Sequence, residues 1–499
     1  MSSPVVAGDR VAPIDMSTEE FRAVGHALVD RIAELLATSR ERPVTGGRTV
    51  SEIRDLVHST RTMPDEGTDA ATIVDEAADV LSRYSLFNGH PKFLGYVTSS
   101  PAPIGMLADL LAAAVNPNVG SWTLGPVATE IESQTVAWIA DLLGYPASAS
   151  GVLVSGGNMA NFVGFYTALR AAFPRDSAER TPERLARATV YASGETHTWM
   201  DKAVDMFGLA PDARRIVAVD AERRLRMDDL VAQMDRDVRD GRIPLLVSGS
   251  AGTVSTGAVD PLIELARVCQ ERGIWFHVDG AYGGFAAMLP SASPDLKALA
   301  LADSVAIDPH KWLYAPLEAG CALVRDAVKH RAAFSYHPPY YHFGEEATNF
   351  VDLSPQNSRG FRALKVWMGL RHVGRRGYEQ MIEDDIALAR ALYDRLADDD
   401  RFEVCTHSLS ITTFRFVPAT LRGVPRSAAV EAKLNEINRA LQSRLETSGE
   451  LFVSNAVIEG TYVLRACIVN FRTSPRDIEE IPDIVARHGE AVWAEATGS

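Results

Sequence analysis

The chain is 499 residues long, 46% apolar and 23% charged, which suits a large folded core and excludes a disordered or low-complexity polymer. Its net charge of −15, from 65 acidic against 50 basic residues, excludes the basic footprint that non-specific nucleic-acid binding needs. The four cysteines are scattered and form no CxxC pair, so the expectation is free thiols in a reducing compartment and no metal site.

In chain order, residues 1–15 read as a loose tail without the basic flank and apolar stretch of a signal peptide. No apolar run approaches the roughly 20 residues that span a bilayer, so a cytoplasmic protein with no membrane contact is expected. Ser17-Thr18-Glu19-Glu20 reads as a capping box opening a helix. Phe21, Val24, Leu28, Ile32 and Leu35 follow at steps of three and four. That apolar stripe needs a partner surface, on its own subunit or on a second one.

From about residue 100, short apolar strands alternate with helical stretches. Strands are expected at Val152–Val154, Thr189–Ala192, Ile216–Val219, Pro244–Val247, Ile274–Val278, Ser304–Ile307 and Cys321–Val324. They are apolar throughout, as in a sheet covered on both faces. Helix-period stretches at Asn161–Ala172 and Pro261–Glu271 lie between them and complete an α/β pattern. Beyond about residue 375, helical Ile382–Leu396 and Ser427–Thr447 and strand-like Ser410–Phe416 and Tyr462–Asn470 suggest a smaller α+β unit. The expected division is therefore 1–100, 101–375 and 376–499.

Asp308-Pro309-His310-Lys311-Trp312 follows one of the buried strands. Alone, Lys311 would read as a surface lysine in a loop, since lysines avoid interiors unless paired. Upstream, however, Trp275-Phe276-His277-Val278-Asp279-Gly280-Ala281-Tyr282-Gly283-Gly284 is an apolar strand that ends in a carboxylate and a turn of small residues. Pyridoxal 5'-phosphate (PLP) needs that combination. A lysine holds its aldehyde as a Schiff base, and a carboxylate keeps the ring nitrogen protonated so that the ring accepts electrons. A small residue such as Ala281 leaves room beneath the ring. Ser155-Gly156-Gly157-Asn158, between a strand and a helix start, is a weaker candidate for a phosphate cradle. It is neither a Walker loop nor a GxGxxG fingerprint. His197, in Thr196-His197 just past a strand, either stacks on a cofactor ring or caps its loop.

The ordered set Ser155-Gly-Gly, Thr196-His197, Ala251-Gly-Thr253, His277-Val-Asp279-Gly-Ala281 and Pro309-His310-Lys311-Trp312 resembles the group II PLP-dependent decarboxylases. Phe93-Leu-Gly-Tyr96, Met106-Leu-Ala-Asp109 and Phe361-Arg-Ala-Leu-Lys-Val-Trp367 extend the likeness over about residues 15–380. The resemblance implies a type I PLP fold: a large, mostly parallel seven-stranded sheet domain, a smaller C-terminal α+β domain and an N-terminal helical segment. It also implies a homodimer with its active sites at the subunit interface. By the same resemblance Lys311 is the Schiff-base lysine, Asp279 the partner of the ring nitrogen, and His197 the stacked histidine. Gly157, Asn158, Thr253, Ala281 and His310 are expected cofactor contacts, and Tyr96, Ser99 and Asn118 expected substrate contacts.

The implied reaction is decarboxylation of an L-amino acid to the amine and CO2, through an external aldimine and a quinonoid. Tyr340 matches a tyrosine of the family's catalytic loop, where a phenol protonates Cα and phenylalanine instead leads to oxidation and an aldehyde. Tyr341 beside it leaves the register open. The alternative reading is decarboxylation with oxidative deamination, or β-elimination, on a bulky or polar amino acid. Two departures from the family pattern stand out. Asp308 replaces an asparagine, and Gly89, Val97 and Gly120, with Asn118 nearby, stand where the aromatic-specific members carry bulky rings. A roomier and more polar pocket is expected from them.

Overall fold

The computed structural model describes residues 13–175, 177, 180–336 and 347–498. The N-terminal part runs through α1 (Thr18–Ala37), α2 (Val50–Leu56), α3 (Ala70–Tyr84), β1 (Phe93–Leu94), α4 (Pro103–Val115) and α5 (Pro126–Leu142). The central part begins with β2 (Ser150–Val154), α6 (Gly157–Ala172), α7 (Pro182–Leu185), β3 (Ala188–Ser193), α8 (Trp199–Met206) and β4 (Arg214–Val217). It continues with α9 (Met227–Arg239), β5 (Ile243–Ser250), α10 (Leu262–Arg272), β6 (Trp275–Asp279), α11 (Pro294–Lys297), β7 (Ser304–Ile307), β8 (Gly320–Val324) and α12 (Ala327–Phe334). The C-terminal part comprises α13 (Ala363–Ala397), β9 (Phe402–Ser408), β10 (Ile411–Phe416), α14 (Ala428–Ser448), β11 (Phe452–Ile458), β12 (Thr461–Cys467) and α15 (Pro475–Thr497).

Each of the seven strands expected from the central apolar runs forms, and together they make one sheet in the order β2-β8-β7-β6-β5-β3-β4. Neighbours from β7 to β4 pair in parallel, while β8 runs antiparallel to both β2 and β7. Residues of β3, β7 and β8 are buried along their whole length, because helices cover both faces and neither side of the strand meets water. The fold is thus the mostly parallel α/β arrangement of the type I PLP enzymes.

The C-terminal sheet, β1-β11-β12-β10-β9, is antiparallel except for β1, which pairs in parallel with β11. The N-terminal segment, expected to be helical, therefore also donates a strand. Phe93 stacks on Phe452, with ring centroids 5.3 Å apart, and this buried contact outweighs the short length of the strand. Gly374, at φ 70° and ψ 166°, breaks α13 into two segments. At α1 only half of the anticipated capping box forms: the Ser17 hydroxyl accepts the Glu20 amide. Complete boxes occur instead at Thr49/Glu52 and Ser474/Asp477. No residue of α1 or α3 is buried, and the two helices pack mainly on each other.

Candidate active site

The carboxyl ends of parallel strands leave unpaired backbone groups and room for a ligand, and here they gather the chemistry. β6 ends at Asp279, β7 leads into Asp308–Lys311, β3 into His197 and Trp199, and β2 into Ser155-Gly156-Gly157. Both Asp279 oxygens are engaged. Oδ1 accepts the Ala281 amide at 3.1 Å, and Oδ2 accepts the indole N–H of Trp199 at 2.8 Å. These two donors orient the carboxylate. Lys311 sits at the end of β7 with its Nζ 3.1 Å from Asp308 Oδ2. Its side chain is 18% exposed, which leaves the amine open to the cleft.

The turn before α6 is shaped for something compact and anionic. Gly156 adopts φ 132°, a conformation that side chains rarely tolerate. A Cβ on Gly157 would lie 2.8 Å from both the Ala281 methyl and Asp308 Oδ2, so only glycine lets these three segments meet. No side chain caps the start of α6, so its first amides are left for a ligand at the positive end of the helix dipole. Asn158 Oδ1 and Asp308 Oδ1 are buried without a partner. A lysine amine, an oriented carboxylate, a small-residue floor and uncapped amides fit a pyridine ring that carries an aldehyde and a phosphate.

His197 lies at the mouth of the cleft, exposed on its outer side, with Nδ1 accepting the Trp199 amide at 3.3 Å. Desolvation pushes its pKa down, while Asp279 opposes the shift and Lys311 adds to it. The imidazole is therefore held neutral while feeling both charges of the site. His310 is buried; its Nδ1 accepts the Ala319 amide at 3.2 Å, and desolvation lowers its pKa too. The Ser99 hydroxyl donates to the His310 carbonyl at 2.7 Å and so fastens the backbone next to Lys311.

Other expected contacts also make local interactions. Thr253 Oγ1 accepts the Ala258 amide at 3.1 Å and pairs with Thr256, closing a turn after β5. Asn118 Oδ1 accepts the amides of Gly120 and Arg359. Gly120 opens no pocket space, since a Cβ there would lie 2.1 Å from the Asn357 carbonyl. Tyr96, at φ 56°, is 55% exposed and packs near Phe452. Tyr340 and Tyr341 lie outside the described residues.

Several supporting residues were not visible as site residues in the sequence. Trp199 is the indole on Asp279. His277, inside β6, bonds Ser304 Oγ through Nδ1 and Asn161 Oδ1 through Nε2, at 2.8 and 2.7 Å. Asn161 Oδ1 can only accept, so Nε2–H donates to it and Nδ1 accepts the Ser304 hydroxyl, whose oxygen also accepts the Trp275 indole. Burial lowers the His277 pKa to about 4, in keeping with this neutral tautomer. Asp385, on α13, accepts the Trp312 indole at 3.0 Å and the Tyr314 hydroxyl at 2.7 Å, and so grips the residues that follow Lys311. Periodicity alone makes each of these residues ordinary core.

A family model described as "Pyridoxal-dependent decarboxylase conserved domain" matches residues 54–417. The aromatic-L-amino-acid decarboxylase of Bacillus atrophaeus is 32% identical over 478 residues, covering 94% of this chain and 95% of the relative. The phenylacetaldehyde synthase of Arabidopsis thaliana is 30% identical over 491 residues, covering 94% and 96%. Among solved structures, Oryza sativa TDC with PLP and tryptamine matches with a TM-score of 0.89 at 27% identity, covering 97% of this chain and 99% of that one. Mouse CSAD matches equally well, with a TM-score of 0.89 at 25% identity and coverage of 95% and 99%.

Proposed function

The chain belongs to the pyridoxal-dependent decarboxylase family, and from that premise we propose the roles of its residues, its assembly and the kind of amino acid it accepts. The enzyme is a PLP-dependent carboxy-lyase that converts an L-amino acid to the amine and CO2. Bound PLP supplies an electrophilic aldehyde and a ring that draws electrons from the bond being broken.

Lys311 would hold the aldehyde and Asp279 the ring nitrogen. Gly157, Asn158 and the uncapped amides at the start of α6 would hold the phosphate, with Ala281 beneath the ring and His197 above it. Asp308 would keep the Lys311 amine in place while it is free of the aldehyde. Tyr340 is our candidate for the acid that delivers a proton to Cα after CO2 leaves. The observation that carries this reading is the pairing of a cleft-facing Lys311 with an Asp279 carboxylate fixed through both oxygens.

Gly89 and Val97, in place of large rings, favour a bulky or polar side chain over a bare indole or phenol. The aldehyde-forming outcome stays as the second reading, because a phenylacetaldehyde synthase is among the relatives. The assembly we propose is a homodimer that completes the site at its interface, supported by apolar faces on α1, α3 and α4 that this subunit leaves uncovered. Among the described residues no helix is long and apolar enough to cross a membrane. With Cys269, Cys321 and Cys467 free and buried, the cytoplasm is the compartment that suits the protein.

Incubating the holoenzyme with a panel of amino acids, while recording CO2, amine, aldehyde and peroxide, tests the reading. Amine with equimolar CO2 and no peroxide is expected, and Tyr340→Phe should divert product towards aldehyde and peroxide. Aldehyde and peroxide from the unmodified enzyme would instead establish the second reading.

A further inference from the structure

The turn Asn470–Thr473 is bound tightly to the segment that enters the site. Asn470 Nδ2 donates to the His90 carbonyl at 2.8 Å, and Thr473 Oγ1 donates to the Pro91 carbonyl at 2.7 Å. Asn470 Oδ1 also accepts the Arg472 amide at 3.0 Å, so the backbone that carries this arginine is fixed from both sides.

The Arg472 guanidinium packs over the Phe471 ring at 4.5 Å and donates through Nη1 to the Ser100 hydroxyl. Ser100 adjoins Ser99, whose hydroxyl binds the carbonyl of His310, and the Ala102 amide binds the Tyr314 carbonyl at 2.8 Å. Residues 99–102 therefore run along residues 310–314, and Arg472 reaches that short segment through Ser100.

Two features of this arginine bear on its role. Among the described residues it forms no ion pair, unlike buried Arg359, which pairs with Glu132, and desolvation lowers its pKa. Gly89 also leaves it uncovered. A Cβ there would lie 3.4 Å from Nη1 and 3.2 Å from the Phe87 ring, so a larger residue would press on the guanidinium. A partly buried cation without a counter-ion is costly unless a ligand supplies the anion.

We infer that Arg472 is a specificity-determining residue that binds an acidic group at the end of the substrate's side chain, so that the preferred substrate is an L-amino acid with an anionic side chain. This rests on the decarboxylase reading above. The α-carboxylate is the poorer ligand for it, because that group leaves as neutral CO2 and a cation held on it would stabilise the ground state over the transition state.

The test compares matched pairs on the holoenzyme: glutamate with glutamine, aspartate with asparagine, and 4-carboxyphenylalanine with its amide. For each, kcat/KM is measured from CO2 release, and binding from the absorbance change of the bound cofactor. In at least one pair the acidic member should be preferred at least about tenfold. Arg472→Met should bring that ratio near unity through KM while leaving the rate on the amide within about threefold, and Arg472→Lys should restore part of the preference. The unchanged amide rate certifies that the variant is folded.

No acidic preference in the unmodified enzyme, or a preference that survives Arg472→Met, overturns the inference. So does an equal loss on all substrates, which would place Arg472 on the α-carboxylate. Arg472-dependent binding of the acidic member without CO2 release would support the inference and overturn the decarboxylase reading instead.

Discussion

Asp279 and Asp385 are both carboxylates that accept an indole N–H, yet their surroundings give them different tasks. Asp279 is partly open to the cleft, with one backbone and one indole donor. Asp279→Asn keeps the shape and loses the charge, so kcat should fall on the order of 10²–10³-fold with little change in melting temperature. Lys311→Ala should abolish both turnover and the absorbance of covalently held cofactor. Asp385 is buried, and desolvation raises its pKa from 3.8 to about 7, against the pull of its hydrogen bonds. Between those values the folded chain keeps a proton that the unfolded chain releases, so stability falls as pH rises through that window. Asp385→Asn can still accept from Trp312 and Tyr314 but cannot ionise. Thermal melts at pH 5 and pH 8 should show the unmodified protein losing stability relative to the variant as pH rises.

Elements converge on the turn before α6 through a buried ion pair. Arg359 and Glu132 are both fully buried and bonded to each other. Arg359 also donates to the carbonyls of Val119 and Leu153 at 2.9 and 2.6 Å, and Glu132 accepts the Leu153 amide at 3.0 Å. The pair thus clamps α5 and the residues before α13 onto β2, just ahead of Ser155-Gly156-Gly157. Removing one partner strands the other charge in the interior. Arg359→Met should therefore cost about 3–5 kcal/mol of stability, measured by denaturant unfolding, and should weaken PLP retention on dialysis.

At the scale of the whole molecule, the surface left uncovered is as informative as the core. Phe21 is 61% exposed on α1 and Leu81 is 64% exposed on α3, while Leu107, Leu110 and Leu111 are all more than half exposed on α4. Apolar side chains left exposed along three helices suit burial against a second subunit. Sedimentation should give twice the chain mass of 54.2 kDa. Leu107→Glu with Leu111→Glu should shift the protein to monomer and take most of the activity with it, since the proposed site is completed at the interface.

Much of this protein is legible from residues alone. The apolar runs mark the seven strands of the central sheet, because a strand covered on both faces has no polar side to confuse its period. Asp279, Ala281 and Lys311 stand out as candidates because cofactor chemistry demands particular side chains beside strand ends. Three strands were not expected: β9 and β11, which form hairpins with the expected β10 and β12, and β1, whose two residues become a strand only through their pairing with β11 at Phe452 and Val453. Asn118, Thr253 and Gly120, expected at the site by position, also engage in turns and close packing that the sequence did not reveal. Trp199, Asp385, Arg359 and Arg472 gain meaning only from neighbours far away in the chain. A hydrogen bond or a missing counter-ion is a property of a pair of residues in space, so only the tertiary structure could decide it.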